Sequence, residues 1–238
     1  MNNRNYQKEL EKLLEGLTYR PSLLLHSCCG PCSSYVLSYL NKYFDITVLY
    51  YNPNIYPREE FDKRTEEQIR LIKALNQDLR QINPDGILNK FGPLPKNAAD
   101  IKFIPGRYEP EKFFEMAKGL EELKEGGERC FKCYELRMRE AAVYAYTQGY
   151  DYFTTTLSIS PLKNAQKINE IGERLWKELG IKHLPADFKK RDGYLISCGL
   201  CKKYGLYRQD YCGCIFSRRE REVQKRMKEA EAENNVSI

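Results

Sequence analysis

Nine cysteines fall into four short groups along this chain, and this clustering constrains the protein more than any other feature. The groups are Cys28-Cys29-x-x-Cys32, Cys130-x-x-Cys133, Cys198-x-x-Cys201 and Cys212-x-Cys214. Such spacings let neighbouring thiolates reach one metal centre. The N-terminus is polar and lacks the apolar stretch of a signal peptide, so we expect a cytoplasmic protein whose thiols stay reduced. The groups therefore indicate a metal or redox site rather than structural disulfides.

The composition is that of a globular protein with one substantial core. Hydrophobic residues make up 42% of the 238 residues, and 39 basic against 33 acidic residues give a net charge of +6. We predict a single α/β domain over residues 1–238, with an N-terminal helix within 1–20 and a charged C-terminal helix within 215–238. The longest stretch without charged residues, 21–41, holds histidine, cysteine and proline residues, so we expect no membrane span.

Short apolar segments alternate with amphipathic ones, which predicts a Rossmann-like parallel sheet with helices on both faces. Strands are predicted at 22–26, 45–51, 150–155 and 181–184. The predicted helices are 6–17, 31–43, 58–75, 111–123, 133–146, 165–179, 195–204 and 215–233. Residues 81–108 are rich in proline and glycine, and only a short strand near 87–88 is predicted there.

Cys28 and Cys29 are adjacent, which favours a multi-iron cluster over a tetrahedral zinc site. Zinc sites usually take thiolates from pairs spaced by two residues, because adjacent side chains diverge. Cys130 and Cys133 would complete the four thiolates that a 4Fe–4S cluster needs. Zinc and unligated thiols remain the alternatives. Cys212 and Cys214 could close a strained, redox-active disulfide or bind metal, whereas Cys198 and Cys201 are best interpreted as small core or half-buried thiols.

Three polar segments each follow a predicted strand and are expected to meet where ligands bind in such sheets. They are the first cysteine group, residues 52–54 and residues 154–160. Ser158, Ser160 and Lys163 could hold a phosphate or ribose, or could simply cap a helix and lie on the surface. Residues 187–208 carry six basic and two acidic residues, which suits contact with nucleic-acid phosphates.

Five motifs in this order make the chain resemble a known family, the cobalamin-independent epoxyqueuosine reductases of the QueH family. The resemblance covers roughly residues 23–219. The motifs are His26-Ser-Cys-Cys-Gly-Pro-Cys32, Tyr51-Asn-Pro-Asn-Ile55, Arg129-Cys-Phe-Lys-Cys133, Thr154-Thr-Thr-Leu-Ser-Ile-Ser-Pro-Leu-Lys163 and Tyr207-Arg-Gln-Asp-Tyr-Cys-Gly-Cys214.

The resemblance implies reduction of epoxyqueuosine to queuosine in tRNA, the last step of that modification, with electrons from an unidentified donor. It implies a fold related to the adenine-nucleotide hydrolase and ATP-pyrophosphatase group, with a further strand within 81–108. A 4Fe–4S cluster is implied, and an adjacent mononuclear iron has been proposed for the family. The site residues carried over are Cys28, Cys29, Cys130 and Cys133 as cluster ligands, Cys32 at a second metal, and Cys212 and Cys214 as a catalytic redox pair or as ligands of the second iron. Apart from the resemblance, we predict that the substrate is bound by Asn52, Asn54, Ser158, Ser160, Lys163 and Arg208. Arg208, near Cys212, could instead tune the charge of the thiolates.

Two other functions compete with this prediction. A zinc-stabilised RNA-binding module would need no catalysis, and its metal content would distinguish it. An ATP-using tRNA-thiolating enzyme would carry a Ser-Gly-Gly-x-Asp-Ser phosphate loop after the first strand. Here that position holds Ser27-Cys-Cys-Gly-Pro-Cys-Ser-Ser34, so thiols replace the phosphate cradle. This argues against the use of ATP.

Overall fold

A five-stranded, wholly parallel sheet forms the centre of the molecule. The structure is a computed structural model that describes residues 4–82, 87–89, 92–94 and 100–236. The strands are β1 (Ser22–His26), β2 (Asp45–Tyr50), β3 (Ile87–Asn89), β4 (Gly92–Leu94), β5 (Lys102–Pro105), β6 (Tyr152–Thr155) and β7 (Lys182–His183). The large sheet has the order β5-β2-β1-β6-β7, and β3 and β4 form a separate antiparallel pair. The predicted α/β sheet is thus confirmed.

Helices cover both faces of this sheet, because successive residues of the central strand point to opposite sides. The helices are α1 (Tyr6–Gly16), α2 (Gly30–Leu40), α3 (Arg58–Ile82), α4 (Pro110–Ala117), α5 (Glu128–Thr147), α6 (Ala165–Leu179), α7 (Gly193–Lys203) and α8 (Ile215–Val236). Leu23 and Leu25 of β1 pack with α1, α2 and α3, whereas Leu24 packs with α5 and α6. Both faces of β1 are therefore buried, as its run of leucines requires.

The strand order changes direction between β1 and β6, and ligands bind at such a switch point in open α/β sheets. The first cysteine group follows β1, and the turn Thr156–Ile159 follows β6. The predicted relation to the ATP-pyrophosphatase group stays a prediction, because many doubly wound folds share this change of direction.

Several helix ends differ from the predicted ones. The helix predicted at 111–123 ends at Ala117, where Gly119 turns the chain with a φ of 78°. The helix predicted to start at Cys133 begins at Glu128, so Cys130 and Cys133 lie together in its first two turns. At the other end of the sheet, β5 confirms the strand that the family resemblance places within 81–108. The sequence did not mark it, because this four-residue edge strand contains lysine and proline.

The predicted terminal segments include residues 1–3 and 237–238, which lie outside the described residues. Across the described ranges, the structure contains no helix with the length and apolar character that crossing a bilayer requires.

Candidate metal and redox centre

Cys28, Cys29 and Cys32 lie together at the junction of β1 and α2. Their Sγ atoms lie within 4.8 Å of one another, and those of Cys28 and Cys29 are 3.8 Å apart. Cys29 is the N-cap of α2, and its Sγ accepts a hydrogen bond from the backbone N–H of Cys32 at 3.4 Å. The helix N-terminus favours negative charge at this position. The strand-to-helix turn thus presents three thiols to a single point.

His26 and Thr156 fix this turn to the neighbouring strands. The His26 ring is fully buried, and its Nε2 donates to the Tyr51 carbonyl at 3.0 Å while Nδ1 accepts from the Thr155 hydroxyl at 2.8 Å. The Cys28 N–H donates to Thr156 Oγ1 at 3.1 Å, and that hydroxyl donates to Cys28 Sγ at 3.4 Å. His26 therefore orients the turn, while Thr156 contacts the first thiol directly.

Because two histidines are buried, we expect the protein to lose stability as the pH falls from 6.5 towards 4. Burial lowers the pKa of His26 to about 4 and the pKa of His183 to about 3. Over this interval the unfolded chain binds protons that the folded chain does not. The free energy of unfolding should therefore drop by about 1.4 kcal/mol per pH unit for each histidine. Urea unfolding of the reduced protein between pH 7 and pH 4.5 measures this slope.

His183→Leu provides the control, because His183 Nδ1 has no hydrogen-bond partner within the part of the chain that the structure describes, and the variant removes one titrating group. The variant should lose about half of the slope, since it removes one of the two histidines. An unchanged slope would contradict the assignment.

Cys130, Cys133 and Cys214 surround a second point together with Cys212. These four thiols line a cavity of about 20 Å³, called here the small cavity. Cys130 and Cys133 come from the start of α5, where the backbone N–H of Gly126 donates to Cys130 Sγ at 3.3 Å. Cys214 precedes α8, and its Sγ accepts from the Ser217 N–H at 3.4 Å. Two segments 80 residues apart thus converge in one place, as four thiol ligands must.

Side chains from α3 and the loop before it hold the segment that carries Cys212. Arg64 is buried, donates from Nη1 to the Cys212 carbonyl at 3.1 Å, and pairs through Nε with Glu60 at 2.6 Å. The Gly213 carbonyl accepts from the Tyr56 N–H at 3.0 Å. Gly213 has a φ of 119°, and a Cβ there would lie 3.0 Å from both Arg64 Nη1 and Ile55 Cγ1. Glycine is therefore required between the two cysteines.

A cavity of about 340 Å³, called here the large cavity, opens beside the first cysteine group. Its wall includes all three thiols of that group and also Cys212, which faces both cavities. Glu125 and Arg137 likewise line both cavities, so the two spaces adjoin. Three of the predicted substrate residues lie on the wall of the large cavity: Ser160, Lys163 and Arg208.

The other three predicted substrate residues lie elsewhere. Asn52 is fully buried, donates to the Ser27 carbonyl at 2.8 Å and accepts from Arg137 at 3.3 Å. Ser158 is buried, and its hydroxyl accepts from the Phe188 N–H at 3.4 Å. Asn54 lines the small cavity, and its Oδ1 has no partner. Their role at the substrate stays a prediction, and two of them support the walls through contacts within the protein.

The thiols differ in how readily they ionise. Hydrogen bonds from Cys29 and Cys32 hold the pKa of Cys28 well below its usual range, and donation to Cys28 raises the pKa of Cys29 to about 12. Burial raises the pKa of Cys133 to about 12 and that of Cys214 to about 11. Cys28 is thus the most readily ionised of these four thiols, whereas Cys133 and Cys214 resist ionisation. A metal would displace these thiol protons, so its binding would depend on pH.

Positively charged groups face these thiols. Burial lowers the pKa of Lys163, but the nearby thiols, Cys212 first, outweigh this effect and hold the pKa above its usual value. The same opposition raises the pKa of Arg137, whose largest favourable interaction is with Cys133. Both side chains are therefore charged at neutral pH beside groups that bind metals as anions.

The sequence did not mark Arg137, Glu125 or Arg64 as parts of the site. Arg137 had a usable signal, because it stands four residues after Cys133 and therefore on the same helix face. Glu125 and Arg64 had none, since their positions depend on how distant segments pack. The remaining cysteine pair lies as predicted: Cys201 is in the hydrophobic core, and Cys198 is half-buried on α7.

The donor set fits a thiolate-bound metal. Three Sγ atoms lie within 4.8 Å of one another, and four more thiols line the small cavity, all of them free. Arg137 Nη2 is buried between them without a partner, which suits a centre of negative charge. The division of the thiols among a 4Fe–4S cluster, a second iron and a redox pair stays a prediction.

Comparison with known proteins gives consistent matches over most of the chain. The family whose profile matches is described as Epoxyqueuosine reductase QueH, over residues 23–220. Curated proteins named epoxyqueuosine reductase QueH are similar to the chain. The one from Staphylococcus epidermidis is 43% identical over 90% of this chain and 84% of its own length. The one from Streptococcus pyogenes is 37% identical over 90% and 78%, and the one from Thermotoga maritima is 32% identical over 84% and 92%.

Proposed function

The chain belongs to the epoxyqueuosine reductase QueH family, and we propose that it reduces epoxyqueuosine to queuosine in tRNA. The observation that carries this proposal is the convergence of three cysteine segments on two adjoining cavities at the switch point of the sheet. A large cavity bounded by thiols and cations gives a substrate nucleoside access to reducing groups. The reaction would take place in the cytoplasm, where thiols stay reduced.

We propose that Cys28, Cys29, Cys130 and Cys133 hold a 4Fe–4S cluster. Cys32 would contribute to a second iron. Bound in this way, the cluster would supply electrons one at a time, and the iron would act as a Lewis acid. Of the four proposed cluster ligands, Cys28 and Cys29 line the large cavity, and Cys130 and Cys133 line the small one. The surrounding charges suit an anionic centre.

Reducing an epoxide to an alkene consumes two electrons and two protons and releases water. Oxidation of the Cys212 and Cys214 thiols to a disulfide supplies two electrons and two protons, so this pair alone balances one turnover. Cys212 lines both cavities, and Cys214 lines the small one. An external donor of electrons would then reduce the disulfide again.

The cations on the wall of the large cavity would hold the substrate. Lys163 and Arg208 are charged, and both suit a phosphate or a polar ring substituent of a tRNA nucleotide. Arg208 Nη2 lies 3.4 Å from the Tyr194 hydroxyl, which aligns both side chains on one wall. Tyr194 and Tyr211 supply aromatic faces on which a base can stack.

A zinc-stabilised RNA-binding module is not favoured. The thiols of the first group could hold zinc, but the relatives are named as reductases over most of the chain. ATP-dependent thiolation is not favoured either, because thiols line the site that a phosphate loop would occupy.

The test is a single-turnover assay under exclusion of oxygen. Protein reconstituted with iron and sulfide, then reduced with dithionite, is incubated with tRNA that carries epoxyqueuosine, and the nucleosides are identified by mass spectrometry. We expect conversion to queuosine, with about four or five irons per chain, as four-thiolate ligation of a cluster with or without a further iron requires. Protein loaded only with zinc is the control. A reconstituted protein that holds zinc, no sulfide and no activity would overturn the proposal.

A further inference from the structure

Arg137 is a buried cation placed where the two cysteine cavities meet. Its side chain is 1% exposed and lines both the large and the small cavity. It stands on α5, one helical turn after Cys133. Charged side chains are seldom buried completely unless an opposite charge accompanies them, so the surroundings of this guanidinium call for an explanation.

The hydrogen bonds of Arg137 leave its charge uncompensated. Nε donates to the Cys133 carbonyl at 3.2 Å and Nη1 donates to Asn52 Oδ1 at 3.3 Å, whereas Nη2 has no hydrogen-bond partner among the described residues. Among the residues that the structure describes, no carboxylate lies within 4.0 Å of this guanidinium. The ion pairs found there are those of other cations, such as Arg64 with Glu60.

Two other buried arginines in this fold have their positive charge balanced by carboxylate or carbonyl groups. Arg64 pairs with Glu60 at 2.6 Å. Arg129 donates to the carbonyls of Leu120 and Glu121 and lies 3.5 Å from Glu220. Arg137 differs because the groups that face it are thiols. A buried charge without its partner destabilises a fold, so the anion that balances Arg137 must come from the cysteine sites.

We propose that Arg137 is the counter-charge of the metal centre and raises the reduction potential of that centre. The inference rests on the proposed function, since it assumes a redox-active centre at these thiols. Reduction adds one negative charge to the centre, and a fixed positive charge beside it stabilises the reduced form. Arg137 is thus a positioning residue that acts through electrostatics and does not need to touch the substrate.

The test compares the wild type with Arg137→Met, Arg137→Gln and Arg137→Lys in metal-loaded and metal-free protein. The first readout is the reduction potential of the reconstituted protein, from a titration followed by electron paramagnetic resonance. A full charge a few ångströms away changes an ionisation equilibrium by about 10- to 1,000-fold. The two neutral variants should therefore lower the reduction equilibrium constant at least about tenfold, which is about 59 mV for one electron. Arg137→Lys should restore most of this change.

The second readout is thermal unfolding, which separates this role from a merely structural one. Removing an uncompensated charge should leave the metal-free protein as stable as the wild type or more stable, and should make the metal-loaded protein less stable. A structural arginine would give the same loss in both forms and an unchanged potential, and that result would overturn the proposal.

Failure of the proposed function gives a different result. If the wild type binds zinc and no iron, the zinc-loaded and metal-free proteins give the same thermal comparison. If Arg137→Met destabilises the zinc-loaded protein but not the metal-free protein, Arg137 is the counter-charge of a metal centre in a protein that is not a reductase. If the variant destabilises both forms equally, the counter-charge role is contradicted. If Arg137→Met does not fold, Arg137→Gln provides the neutral variant, and a fall in potential that Arg137→Lys reverses supports the proposal.

Discussion

Cys29→Ser is expected to leave the fold intact and to remove the metal centre together with the activity. Cys29 caps α2 through its side chain, and serine is among the residues that cap helices best. The variant therefore keeps the structural role of the side chain and loses the thiolate, the ligand that iron–sulfur centres use. Turnover should fall by more than about 100-fold, because even changes behind a metal ligand cost about 10- to 100-fold.

Iron and sulfide content, turnover on tRNA and thermal unfolding of the metal-free protein together check this expectation. Cys198→Ser is the matched control, because Cys198 is half-buried on α7 and lies outside both cavities. The control should hold as much iron as the wild type. If Cys29→Ser also retained its iron and its turnover, Cys29 would not be a ligand.

Gly213→Ala is expected to reduce turnover about as much as Cys29→Ser does. It keeps every thiol and acts only by displacing Cys212 and Cys214. At a φ of 119°, a methyl group would be strained and would meet Arg64 Nη1 and Ile55 Cγ1 at 3.0 Å. Relief requires the segment between Cys212 and Cys214 to move, and a displacement of about 1 Å at a reacting group can cost about 100-fold. The strained backbone should also lower the free energy of unfolding by about 1–3 kcal/mol.

Gly205→Ala tests whether backbone strain reduces turnover when the cysteines are not displaced. Gly205 has a positive φ of 56°, and no atom lies within 4 Å of the place where its Cβ would stand. Both variants should lose stability, but only Gly213→Ala should lose turnover. Equal losses of turnover in the two variants would show that general destabilisation, rather than the position of Cys212 and Cys214, explains the effect.

The sequence predicted the sheet well, because its buried strands are short runs of apolar residues that are easy to recognise. Leu23, Leu24 and Leu25 indicate a strand covered on both faces, and the structure confirms it. Strand β5 left no comparable pattern, because an edge strand needs few apolar residues and this one ends in proline. Helix α4 ends early because Gly119, just after it, adopts a left-handed conformation. The helical pattern of the sequence continues past this glycine, so the predicted end of the helix came too late.

The sequence predicted the thiols of the site and part of the cavity wall. The polar segments that follow predicted strands were expected to meet, and Ser160 lies with the first cysteine group on the wall of the large cavity. Arg137 could be placed on the same helix face as Cys133, but the periodicity of α5 does not show that its guanidinium is buried beside a cavity. The contact of Arg64 with the site was even harder to predict, since this side chain donates to the carbonyl of a residue 148 positions along the chain.

The contact between that arginine and the cysteine loop also has a consequence for how the sequence can change over evolutionary time. Gly213 is required by its φ of 119° as well as by the side chains at positions 55 and 64. Smaller residues at those two positions would remove the clash but not the backbone strain, so we expect glycine to persist at 213 while positions 55 and 64 vary. The side chains that contact the loop are therefore freer to change than the glycine itself, although most of the chain separates Arg64 from it.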